Sequence, residues 1–107
     1  MSQPLRVAFV GGVFRVEREI YSIAEELGLE VAIHDGHTRG RGKDRLVALV
    51  RRSDVLFIVM GTNSHAAVNV AKKEASRASV EVRILKSCGS GSARALLTTL
   101  VRDRSAA

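Results

Sequence analysis

The chain has 107 residues and a net charge of +6, with 17 lysines and arginines against 11 aspartates and glutamates. This length fits one domain, and the positive charge favours anionic partners such as a nucleotide, phosphate, a carboxylate-bearing cofactor or nucleic acid. A single cysteine excludes an internal disulfide, and no apolar stretch reaches the ~20 residues that cross a bilayer. Because no signal peptide is recognisable either, we expect a soluble cytoplasmic protein without a membrane partner.

Short apolar runs alternate along the chain with segments whose apolar residues recur at helical spacing. The predicted strands are residues 5–10, 29–34, 55–60 and 80–85. The inner faces of the predicted helices are Val16, Ile20, Ile23 and Leu27; Leu46, Leu49 and Val50; Ala67, Val70 and Ala71; and Ala93, Leu96, Leu97 and Leu100. We expect Gly28 to end the first helix in the left-handed conformation, and Asn63 or Ser64 to cap the third.

This alternation predicts an α/β fold: a four-stranded parallel sheet with helices on both faces, similar to Rossmann and flavodoxin folds. The continuous apolar run 55–60 is typical of a central strand, whereas Glu81 and Arg83 interrupt 80–85 and indicate an edge strand. We expect a single domain over residues 1–102 and a disordered tail over 103–107. The exposed edges of so small a sheet make a homodimer plausible.

Each predicted strand stops at a small, polar loop that contains glycine or histidine. The loops are Gly11-Gly12, His34-Asp35-Gly36, Thr62-Asn63-Ser64-His65 and Ser87-Cys88-Gly89-Ser90-Gly91-Ser92. In a parallel sheet these loops gather at the carboxyl edge, where open α/β folds bind ligands. We therefore predict a ligand site at this edge.

The first two loops contain part of a dinucleotide-binding pattern. Gly11-Gly12 stands where a Rossmann fold has its phosphate turn, and Asp35 stands where the ribose-binding acid is expected. The full Gly-x-Gly-x-x-Gly pattern is absent, so a tight turn before a helix remains an equal interpretation.

Two histidines, His34 and His65, fall at the carboxyl ends of predicted strands. Their functional interpretations are an axial ligand to an iron cofactor, a proton donor, or a hydrogen-bond donor to phosphate. The structural interpretation, in which they only cap or hydrogen-bond the local backbone, stays open beside these.

The last loop and the second loop each suggest an anion site. The small residues after Lys86 leave backbone N–H groups open to an anion. The spacing of Cys88 and Arg94 resembles that in the loop of thiol phosphatases and arsenate reductases, and Asp35 would then be the general acid. The basic run 37–43 can touch a phosphate backbone, which keeps a nucleic-acid-binding module as a further alternative.

Taken together, these motifs resemble the bacterial "domain of unknown function 2325" family, over about residues 7–100. They are Val10-Gly11-Gly12, His34-Asp35-Gly36, Ser64-His65-x-Ala67 with Lys72, and Lys86-Ser87-Cys88-Gly89 leading to Arg94-Ala95-Leu96. The chain departs from the family pattern at His37, Ala75, Lys86 and Cys88, where glycine, cysteine, arginine and serine are usual. The last departure indicates that thiol catalysis is not general to this loop.

The resemblance implies a small Rossmann-like protein, and some members are understood to bind haem as dimers. Our leading hypothesis is a non-enzymatic sensor or carrier that binds haem, with His65 or His34 as axial ligand. A phosphate- or nucleotide-binding protein and a Cys88- and Arg94-dependent phosphatase or reductase are the alternatives. Besides the two histidines, the residues predicted to bind the ligand are Gly11, Gly12, Phe14, Arg15, Asp35, Ser64, Lys86, Ser87, Gly89 and Ser90.

Overall fold

The computed structural model describes residues 4–61 and 64–106, and it confirms the alternation of strands and helices. The strands are β1 (Arg6–Val10), β2 (Glu30–His34), β3 (Val55–Val59) and β4 (Glu81–Leu85). The helices are α1 (Glu17–Leu27), α2 (Gly42–Arg51), α3 (His65–Ala78) and α4 (Ser90–Ala106), with one 3₁₀ turn at Phe14–Val16.

The four strands form one parallel sheet in the order β2-β1-β3-β4. At its carboxyl edge Val10 lies opposite His34 on one side and opposite Ile58 on the other. All five residues of β3 are buried, as its apolar run predicts. The prediction that β4 is an edge strand is confirmed, and β2 forms the other edge.

Two helices cover each face of the sheet, as the right-handed crossovers between parallel strands require. Helices α1 and α4 cover the face that carries Phe9 and Phe57, whose rings stack at 5.0 Å. Helices α2 and α3 cover the face that carries Ala8 and Ile58. The predicted inner residues of α2 are all buried, and those of the other helices are buried or half-buried.

The ends of several elements show how the local sequence fixes them. Gly28 has φ +72° and ends α1 in the left-handed conformation, as predicted. Ser64 caps α3 through its hydroxyl group, and Asn63 lies outside the described residues. Helix α4 continues through Ala106 instead of fraying at residue 103, because Leu100 is buried and Arg104 pairs with Glu81.

No helix in the described ranges is both long and apolar enough to cross a membrane.

Candidate functional site

The loops that follow the four strands lie along one edge of the sheet, because all the strands run in the same direction. They do not form one compact cluster. The two edge strands β2 and β4 are separated by three strand spacings, about 14 Å in total. Asp35, after β2, and Cys88, after β4, therefore lie at opposite ends of this edge.

The loop after β2, residues 35–41 and here called the β2–α2 loop, is organised around the ring of His34. This ring is only 8% exposed. Its Nδ1 accepts the backbone N–H of Gly36 at 3.0 Å, so Nε2 carries the hydrogen and donates it to the carbonyl of Gly42 at 2.8 Å. Both ring nitrogens of His34 are thus used to join the start of the loop to the start of α2.

The same loop is attached to α3 through Ser64. The Ser64 hydroxyl group donates to the carbonyl of Gly36 at 2.9 Å and accepts the N–H of Ala67 at 3.0 Å. Gly36 is buried and has φ +86°, a conformation that favours glycine. Asp35 adds a turn of its own, because its Oδ1 accepts the N–H of His37 at 2.9 Å.

Glycine is also required where the loop meets α2. A Cβ atom at Gly42 would collide with the backbone carbonyl of His37. The short motifs around His34 and Ser64 therefore build a tightly folded loop, and their side chains are occupied in holding it.

This loop forms one end of an open groove of about 640 Å³, here called the α2 groove, between α2 and the exposed edge of β2. Four arginines line it: Arg39, Arg41, Arg45 and Arg52. Asp35 is the only acidic residue among the described residues that line it, so positive charge dominates.

The four arginines of the α2 groove differ from most others in the molecule. Arg6, Arg51, Arg77, Arg83, Arg94 and Arg104 each pair with a carboxylate. Within the described ranges, no carboxylate lies within ion-pair distance of the groove arginines. Their guanidinium groups remain available to a bound anion.

Sequence reasoning identified the basic run 37–43 but missed Arg45 and Arg52. The signal was present: Arg41, Arg45 and Arg52 recur at spacings of four and seven, which place them on one side of a helix. These positions carry charge on the exposed side of α2, whereas Leu46, Leu49 and Val50 face the core.

The loop after β1 does not present the helix N-terminus that was predicted for an anion. Gly11 has φ +124° and its N–H donates to the carbonyl of His34 at 3.0 Å, which continues the sheet. A 3₁₀ turn separates Gly12 from α1. The first turn of α1 carries Glu17 and Glu19, whose negative charges disfavour an anion at this helix N-terminus.

The loop after β4 is also not arranged as an anion cradle or a thiol site. Arg94 is turned towards α1, where its guanidinium group donates to both carboxylate oxygens of Glu26, at 3.0 and 3.4 Å. Partial burial raises the pKa of the Cys88 thiol, which disfavours the reactive thiolate. A carboxylate, that of Glu19, lines the shallow cavity beside Ser90 and Arg94.

The remaining predicted residues are spread along the edge. Arg15 is exposed within the 3₁₀ turn, and the backbone of Phe14 opens that turn while its side chain lies outside the described part. His65 is exposed in the first turn of α3. The loop after β4 has four of the predicted residues, all of them exposed: Lys86, Ser87, Gly89 and Ser90.

Of the two histidines predicted as axial ligands, His65 is the one whose ring is available to a haem iron among the described residues. His34 would have to give up a backbone hydrogen bond to bind a metal, whereas the ring of His65 has no hydrogen-bond partner among the described residues. Nor does any group of three His, Cys, Asp or Glu side chains within the described ranges suit a metal ion. Met60, at the carboxyl end of β3, is 41% exposed.

The sheet order and the two helical layers define a small Rossmann-like α/β protein whose described groove is basic. The chain belongs to the family described as "uncharacterized protein conserved in bacteria (DUF2325)", whose model matches residues 6–100. The resemblance expected from the sequence motifs is thereby confirmed. No curated protein matches the chain.

Two designed proteins of known structure share this fold. A de novo designed Rossmann fold protein is 18% identical, with a TM-score of 0.60 over 92% of this chain and 97% of the design. A de novo designed Rossmann 2x2 fold protein, solved by solution NMR, is 16% identical, with a TM-score of 0.65 over 94% and 89% of the two chains. At such identities the similarity shows the fold alone.

Proposed function

We propose that this protein is a binding module for a small phosphate-bearing ligand such as a nucleotide, held at the loop end of the α2 groove. The observation that carries the proposal is the set of unpaired arginines Arg39, Arg41 and Arg45 beside the β2–α2 loop. A guanidinium group matches phosphate oxygens in a two-pronged hydrogen-bonding geometry.

The rigidity of the β2–α2 loop supports this function. Hydrogen bonds from His34 and Ser64 fix the loop before any ligand arrives, so less conformational entropy is lost on binding. The proposed role is binding, and the buried His34 serves it by using both ring nitrogens to hold the backbone of the loop.

Isothermal titration calorimetry with ATP tests the proposal. We expect the wild type to bind ATP, with an affinity that falls as salt is raised. The double substitution Arg41→Gln and Arg45→Gln should weaken binding roughly tenfold or more, because hydrogen bonds to charged groups contribute about 1.5–3 kcal/mol each.

Arg102→Gln is the matched control. Arg102 is exposed on α4, on the opposite face of the sheet, so this variant removes a positive charge without touching the α2 groove. ATP affinity should not change in it. If the wild type fails to bind ATP and pyrophosphate at low salt, or if the control loses as much affinity as the groove variant, the proposal is wrong.

Haem is the second candidate ligand. The observation that favours it is that the exposed ring of His65, at the carboxyl edge, has no hydrogen-bond partner among the described residues. In this hypothesis His65 would bind the iron, Arg15 and Lys86 would pair with the propionates, and a second copy of the chain would complete the apolar enclosure. The homodimer and the cytoplasmic location predicted from the sequence remain predictions.

An absorption spectrum with and without added hemin tests the haem hypothesis. Binding through His65 predicts a Soret band that shifts or disappears in His65→Ala and persists in the control His37→Ala. A spectrum identical to that of free hemin would remove haem from consideration and leave the phosphate proposal untouched.

A further inference from the structure

The α2 groove is longer than a single small anion requires. Arg41 and Arg52 flank the ten residues of α2, and a helical rise of about 1.5 Å per residue separates them by about 16 Å. A second cavity of about 290 Å³ shares Leu49 and Arg52 with the groove and continues towards the amino end of β2. The surface is therefore an elongated channel along an exposed sheet edge.

Positive charge is confined to one stretch of this channel. It extends from Arg39 at the β2–α2 loop to Arg52 at the end of α2. Beyond Arg52 the second cavity is lined by the carboxylate of Glu30 and by Arg6, which is paired with Asp54. An anionic ligand would thus be attracted along about 16 Å of α2 and repelled further on.

We propose that the natural ligand of the α2 groove is an extended chain of phosphate groups, lying along α2 from Arg41 to Arg52. This inference rests on the proposed function and specifies its ligand. At about 3.4 Å per phosphate, the axial rise of one strand in a stacked helix, the basic stretch spans at most roughly five phosphates. A nucleic-acid backbone and inorganic polyphosphate share this chemistry.

The lining also indicates how such a chain would be recognised. No Phe, Tyr or Trp is among the described residues that line the groove, so it lacks the large stacking platforms of base-binding grooves. The carbon atoms of Ile33, Ala48 and Leu49 form its floor, and the arginines supply the polar contacts. Binding should therefore depend on the phosphates and be insensitive to base sequence.

The test compares ATP with single-stranded oligothymidylates of increasing length and with inorganic polyphosphate, in fluorescence anisotropy and calorimetric titrations. Affinity should rise with chain length up to roughly five phosphates and then level off. Arg52→Gln should weaken the binding of the long chains several-fold and leave ATP binding unchanged. Each arginine removed should reduce the slope of log affinity against log salt by about 0.7 for single strands.

The outcomes separate this inference from the proposed function. If ATP binds but chain length has no effect, or if Arg52→Gln leaves long chains unaffected, the extended-chain inference is overturned while the proposed function stands. If neither ATP nor any chain binds, both fall. Tight binding of polyphosphate with weak binding of oligothymidylate, or the reverse, identifies the source of the chain, and Arg102→Gln serves again as the control.

Discussion

Ser64 joins two parts of the molecule, α3 and the β2–α2 loop, through one hydroxyl group. It caps α3 by accepting the N–H of Ala67, and it donates to the carbonyl of Gly36 in the β2–α2 loop. Removal of that oxygen would leave a helix N-terminus uncapped and a loop carbonyl without its donor. Since Gly36 is buried, water cannot easily replace the lost partner.

Ser64→Ala is therefore expected to lower the free energy of unfolding by about 1–2 kcal/mol, the usual cost of a lost N-cap together with an unsatisfied carbonyl. Ser76→Ala, at an exposed interior position of the same helix, is the control and should be neutral. Urea denaturation of the two variants measures the difference. Equal stabilities would show that the Ser64 hydroxyl group does not hold the loop.

The sequence identified His34 and Ser64 as candidate site residues, but it did not reveal that they hold the β2–α2 loop. A histidine at the end of a strand can bind a ligand or the backbone, and only the folded path of residues 35–42 decides between these roles. Here the N–H of Gly36 and the carbonyl of Gly42 come within hydrogen-bond distance of the two ring nitrogens. That proximity depends on positive φ at Gly36 and Gly40, which no residue spacing reveals.

At the scale of elements, helix α3 is fitted to the sheet by a stripe of alanines. Ala67, Ala71 and Ala75 are completely buried against the face that carries Ala8 and Ile58. Small side chains at this spacing allow the helix to approach the strands closely. Larger side chains here would have to displace either the helix or the strands.

Ala71→Leu should consequently destabilise the protein by roughly 1–3 kcal/mol through overpacking. Ala78→Leu, at the exposed end of α3, inserts the same side chain without a steric conflict and should change stability little. Thermal denaturation followed by circular dichroism compares the two. A substantial loss of stability in both variants would indicate that helix propensity or aggregation, and not packing against the sheet, is responsible.

Most elements could be predicted because burial leaves a periodic pattern in the sequence. The apolar run of β3 and the spacing of Leu46, Leu49 and Val50 in α2 both report which side chains face the core. The contacts of surface side chains leave no such periodic pattern in the sequence. The 3₁₀ turn before α1 and the pairing of Arg94 with Glu26 depend on tertiary geometry, which the sequence does not reveal. For that reason the sequence predicted an anion site at both places, where the structure shows other contacts.

At the scale of the whole molecule, the arginine–carboxylate pairs of the described residues lie outside the α2 groove and leave the groove positive. Asp54, just before β3, accepts the backbone N–H of Arg6 at 2.9 Å and lies 3.5 Å from its guanidinium group. Burial alone would raise the pKa of Asp54, but these hydrogen bonds and the charges of Arg6 and Arg104 lower it overall. The carboxylate is thus more stable in the folded chain than in the unfolded one.

The sign of the pH dependence follows from that lowered pKa. The contribution of Asp54 to stability is present above its unfolded pKa, about 3.9, and is lost as the pH falls through the lower folded value. Because the side chain is partly exposed to solvent, we expect less than about 1 kcal/mol. Asp54→Asn should flatten the acid side of the stability profile, measured by urea denaturation, whereas Asp103→Asn should leave it as in the wild type.

The proposed function depends on the arginines of the α2 groove, which have no carboxylate partner among the described residues. An NMR titration of the isotope-labelled chain with pyrophosphate tests it most directly, because each backbone amide reports on its own surroundings. Binding at the loop end of the groove predicts shifts concentrated at Gly40, Arg41 and Arg45. Shifts concentrated instead at Gly12, His65 and Ser90, or no saturable shifts at all, would contradict it.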